Sequence, residues 1–122
     1  MKKLLIAASI ALFAGLALAD GVLKPDHGGV MTEASSGNRV ELVAGAEQLT
    51  IYLTDHSGKP VASKGASGEV TMLSGTEKTK TVLTPSGTNQ LVAKAKAGAG
   101  AKAIVKLALP GKPADLVRLT LK

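Results

Sequence analysis

The sequence predicts an all-β protein, a small antiparallel β-sandwich behind a cleaved signal peptide. Three observations carry this: an almost wholly apolar run from Leu4 to Leu16, period-two alternation of apolar and polar residues from about Arg39 onward, and Gly, Pro, Asn, Asp or Ser at short intervals between the alternating stretches.

Met1-Lys2-Lys3 is a short basic start, and Ala17-Leu18-Ala19 supplies the small residues at which a signal peptidase cuts. The apolar run is shorter than the roughly 20 residues a spanning helix needs. No cysteine follows it, so no lipid anchor is attached, and the expected product is a periplasmic protein with no membrane insertion once the signal is removed. The organisation read from the chain is a signal peptide at 1–19, a Gly/Ser-rich leading segment at 20–38 and a β-sandwich domain at 39–122. That length suits one domain with one modest core, and with no cysteine it must hold by packing alone.

Within the leading segment only a brief pairing around Val30 is expected. In Gln48 to Thr54 the aliphatics Leu49, Ile51 and Leu53 share one face, and Gln48, Thr50, Tyr52 and Thr54 share the other, which describes a half-buried strand. The same rule turns Val70 and Met72 inward on Glu69 to Ser74. It does so for Ala103, Val105, Leu107 and Leu109 on Ala101 to Leu109, and for Val117, Leu119 and Leu121 on the last strand. Shorter strands are predicted at Arg39 to Val43, Lys78 to Leu83 and Gln90 to Lys94. Gly45, Gly58, Gly65, Gly68, Gly75, Gly87 and Gly111 are placed between strands. Asp55 to Pro60 reads as a turn with Gly58 at positive φ and Pro60 opening an edge segment. The low-complexity stretch Ala93 to Lys102 reads as a mobile hairpin loop, because Gly98 and Gly100 interrupt any helix that its alanines and lysines would favour.

The formal charge of +6 includes Lys2 and Lys3 and so falls by two on processing, and the remaining lysines are spread along the chain. Nucleic-acid binding calls for clustered basic residues or aromatic stacking platforms, and Tyr52 is the only aromatic after the signal. No nucleic acid is expected as a partner. Hydrolytic catalysis calls for a nucleophile beside a base, or for paired carboxylates. The serines sit in glycine-rich turns, and neither Gly-x-Ser-x-Gly, His-Glu-x-x-His nor a phosphate-binding glycine loop occurs. The expectation is a protein that is not an enzyme.

The residues able to carry binding chemistry are few. His27 and His56 are the only imidazoles, and each follows an aspartate, giving Asp26-His27 and Asp55-His56. If the two loops meet at one end of the domain, two imidazoles and two carboxylates form a copper or zinc site, with Met31 beside it as a thioether that favours Cu(I). The alternative is that both histidines are exposed turn residues and both aspartates are Asx-turn formers. Met72, on an inward face, reads as core filling. An amino terminus at Asp20-Gly21-Val22 has no histidine in third place, which removes the familiar amino-terminal copper chelate.

His27-Gly28-Gly29, Glu41-Leu42-Val43, the run Ile51 to Ala62, and Leu107 to Leu121 with Leu-Pro-Gly-Lys-Pro followed by Val-Arg-Leu-Thr-Leu carry a resemblance. They resemble small periplasmic proteins, and leading periplasmic segments of membrane-fusion adaptor subunits, that accompany heavy-metal efflux systems of Gram-negative bacteria. The Asp-x-x-Gly-Lys-Pro-Val element within that run resembles a unit of many immunoglobulin-like bacterial sandwiches. What the resemblance implies is an immunoglobulin-like fold and a non-catalytic accessory role, with a transition metal, an efflux component or another envelope protein as partner. The competing expectation is a structural or protein-interaction module of the envelope with no ligand.

Overall fold

The computed structural model describes residues 23–121. The expected signal peptide at 1–19 lies outside the described residues. The described chain forms eight strands and no helix: β1 Val30–Glu33, β2 Arg39–Ala44, β3 Gln48–Thr54, β4 Ser67–Ser74, β5 Glu77–Ser86, β6 Gln90–Lys94, β7 Lys102–Ala108 and β8 Asp115–Thr120. All pairings are antiparallel, and the strand order is β1-β2-β3-β6-β5-β4-β7-β8.

The all-β expectation holds, and the architecture is one nearly closed sheet. Its continuity comes from β5, which is long enough to pair with β4 over Glu77 to Leu83 and then with β6 over Thr84 to Ser86. The two edge strands, β1 and β8, lie against each other without a ladder between them. Ser36 on the β1–β2 turn donates to the Asp115 carboxylate at 2.7 Å and fastens this seam, with Asp115 itself buried.

Period-two alternation sets what the sheet encloses. Val40 and Leu42 of β2, Leu49, Ile51 and Leu53 of β3, Val70 and Met72 of β4, Leu91 of β6, Ala103, Val105 and Leu107 of β7, and Val117 and Leu119 of β8 form one buried cluster. Small and branched aliphatics fill it, which suits a tightly curved sheet with little interior volume.

The predicted strand positions agree with the structure to within a few residues, and β1 forms where brief pairing around Val30 is expected. Two local expectations are corrected. Gly68 lies inside β4, not between strands. A Cβ there would come within 2.4 Å of the Lys106 carbonyl oxygen, so the glycine serves close approach of β4 to β7. Residues 95–101 are a crossover and not a hairpin loop. β6 is already paired on both sides, by β3 and β5, so β7 cannot pair with it and adds at the edge of β4. Ala95 and Ala97 pack against the core on the way, and Ala101 is buried.

Candidate functional site

Glu41 is the most unusual side chain of the described protein. Alternation along β2 turns it to the outer face with Arg39 and Val43, away from Val40 and Leu42, yet it is only 1% exposed. What covers it is the leading segment, which folds back across the outside of β2 and β3. The Glu41 carboxylate collects four donors: Oε1 accepts from the Asp26 amide at 3.1 Å and pairs with His27 Nδ1 at 2.9 Å, while Oε2 accepts from the amides of His27 at 2.8 Å and Gly29 at 3.0 Å.

Two adjacent glycines allow that wrap. Gly28 takes φ 76, and a Cβ on Gly29 would sit 2.3 Å from the Leu42 carbonyl oxygen. The His27 ring then lies flat on Tyr52, which is paired with Glu41 across β2 and β3, with centroids 3.6 Å apart and planes 5° from parallel. Burial pushes the Glu41 carboxyl up, but the bonds from the His27 ring and from the Gly29 and His27 amides together outweigh it and hold the group below its ordinary value. An ionised Glu41 requires the proton of the shared hydrogen bond to reside on Nδ1, which in the neutral form of the ring leaves the lone pair on Nε2. Met31 stands opposite Glu41 on β1, so its thioether belongs to the same neighbourhood.

His56 is held differently. Its Nδ1 pairs with Glu33 Oε1 at 2.9 Å, and Arg39 Nε donates to the same oxygen at 3.3 Å. The His56 bond first, and then Arg39, keep the Glu33 carboxyl below its ordinary value. This pair is open to solvent, with the His56 side chain 76% exposed.

The sequence-predicted residues therefore divide. Asp26, His27 and Met31 gather around Glu41, whereas His56 goes to Glu33, so the two imidazoles have separate carboxylate partners. Asp55 is an Asx-turn former: its Oδ1 accepts from the amides of Ser57 and Lys59 and from the Ser57 hydroxyl, which lowers its pKa, the Lys59 amide contributing most. Gly58 has φ 91 and Pro60 bridges back to Thr54, as that turn requires. Among the described residues no group of three or more His, Asp and Glu side chains could hold a metal ion. Met72 is buried in the core. It also forms part of the floor of an open cleft of about 590 Å³ at one end of the sheet, lined by Ala46, Glu77, Thr79 and Lys96 among others.

Glu41, Glu33 and Tyr52 are the site residues that sequence reasoning did not single out. A glutamate on the polar face of an alternating strand reads as solvated, and only the Gly28-Gly29 pair hinted at a close backbone approach. No protein-family model matches the chain, and no curated protein and no solved structure matches it.

Proposed function

We propose that this chain is a non-catalytic accessory protein of the bacterial envelope, exported to the periplasm, in which His27 Nε2 is the ligand-facing group and a transition metal is bound weakly. The observation that carries this reading is the Glu41–His27 pair. Metal-ligating histidines almost always donate their other ring N–H to a carboxylate or carbonyl, which fixes the tautomer and aims the free nitrogen. Glu41 does this from a buried position, and Tyr52 holds the ring plane. The Glu41 oxygens are already engaged by four donors, so the candidate ligands left are His27 Nε2, the Met31 thioether and the Asp26 carboxylate. Imidazole with a thioether favours copper, and a set this small accounts for weak binding. The export address rests on the pattern of residues 1–19. The non-catalytic reading is supported by Ser36, Ser57 and Ser63, whose hydroxyls pair with Asp115, Asp55 and the Thr88 carbonyl and not with an imidazole.

A second reading follows from the same contacts: the pair is a latch that fastens the leading segment, in an interaction module that binds no metal. Calorimetric titration with Cu(I), Cu(II) and Zn(II) separates them. The metal reading predicts saturable binding that is lost in His27→Ala and kept in His56→Ala. Heats that are absent in the unaltered protein, or equal in all three proteins, would leave the latch alone.

A further inference from the structure

The outer face of β5, β4, β7 and β8 collects cations that are scattered in the sequence. Registered neighbours form three rows across these strands: Val82, Glu69, Lys106 and Leu116; then Lys80, Thr71, Ile104 and Arg118; then Lys78, Leu73, Lys102 and Thr120. The opposite face of the same strands is the core. Among the described residues of this face Lys78, Lys80, Lys102, Lys106 and Arg118 are all exposed, against the single acid Glu69, which lies 4.0 Å from Lys80. Strand spacing and the two-residue repeat spread these cations over a gently curved grid of roughly 14 Å by 14 Å. The exposed large hydrophobics of the described chain, Val82 at 67% and Leu116 at 53%, stand at the two ends of the first row.

We infer that this face docks peripherally on an anionic lipid surface. Charge complementarity is the first argument: on this grid each of the five cations has another within about a Debye length, and together they face a plane of negative head groups. The residue types are the second argument. Specific protein interfaces are depleted in lysine and anchored by aromatics, whereas this face has four lysines and no aromatic side chain, and its short aliphatics suit shallow contact with head groups. The occupant it fits is a diffuse charged plane and not a shaped protein partner.

The test is co-sedimentation of the purified protein with vesicles of phosphatidylglycerol and phosphatidylcholine, with phosphatidylcholine vesicles as the neutral reference. Binding to the anionic vesicles alone is expected, with steep weakening as salt is raised. Lys80→Gln, Lys106→Gln and Arg118→Gln should each weaken it about fivefold. Lys59→Gln and Lys64→Gln, which lie off this face, should leave it unchanged. These are exposed positions, and circular dichroism of each variant is the check that it folds. The inference is overturned by equal binding to both vesicle types, by no binding at low salt, or by equal weakening in both sets of variants. Capture of the protein by a soluble polyanion or acidic protein, with no vesicle binding, overturns it as well.

Discussion

The two halves of the sheet share one core and differ in what lies outside it. On β2 and β3 the outer face is roofed by the leading segment, and its central acid is buried under three amides and an imidazole. On β5, β4, β7 and β8 no described segment covers the outer face, and its one acid among the described residues, Glu69, has a single cation at 4.0 Å. The lesson is that alternation assigns a residue to a side of the sheet and leaves open what that side meets. Glu41 and Glu69 are both outward glutamates on sheet strands, yet one is tied into the fold and the other is solvated.

That contrast is broken or sharpened first by truncating both acids. Glu41→Ala should cost about 3 kcal/mol, because buried donors lose a charged acceptor, while Glu69→Ala should stay within about 0.5 kcal/mol. Equal losses in urea unfolding would erase the distinction. Next in size is Gly29→Ala, expected to cost about 2 kcal/mol, since its Cβ would collide with the Leu42 carbonyl and lift the roof off Glu41. If thermal unfolding is unmoved by that change, the leading segment is not seated as described.

His27→Ala should cost about 1.5 kcal/mol through the lost charge-assisted bond and ring stacking, and His56→Ala should leave the unfolding midpoint nearly unmoved, because its partner is solvated. The smallest effect is with acid. A carboxyl held below its ordinary value of 4.5 contributes stability that is complete above that value and is lost as pH falls through the folded value. Melting temperature should therefore drop more steeply below about pH 4.5 in the unaltered protein than in Glu41→Gln. Glu33 and Asp55 are lowered too, but they are common to both proteins, so the difference isolates Glu41.

The strands were legible because side-chain period and turn residues are local properties. Gln48–Thr54 and Gln90–Lys94 emerge with the boundaries that alternation assigns, and Asp55 to Pro60 turns through the chemistry its residues dictate. What local pattern does not contain is the order of strands. The glycines and flanking strands of Ala93 to Lys102 point to a hairpin loop, but whether the next strand pairs with its predecessor is not local, and here the chain crosses over to β4; nor does anything in Glu77 to Ser86 announce a strand that serves two neighbours in succession. The site was half legible. His27 stood out by residue type, but its partner comes from β2, and their meeting depends on a chain reversal at Gly28-Gly29. The cationic face was hidden for the same reason, since Lys78 and Arg118 are far apart in the chain and two strands separate them in space.

The strand order also divides into three stretches contiguous in the chain: β1 to β3, β4 to β6 and the β7–β8 hairpin, the middle one laid down in reverse. Each closes only short loops, and short loops form quickly and at low entropic cost. Just two ladders, β3 with β6 and β4 with β7, join the stretches. Folding can thus proceed as the assembly of three preformed pieces, with β5 at the centre of the middle one. In native-state hydrogen exchange the Leu83 amide and its neighbours on β4 and β6 should be among the last to open, and the amides along the β1–β8 seam among the first.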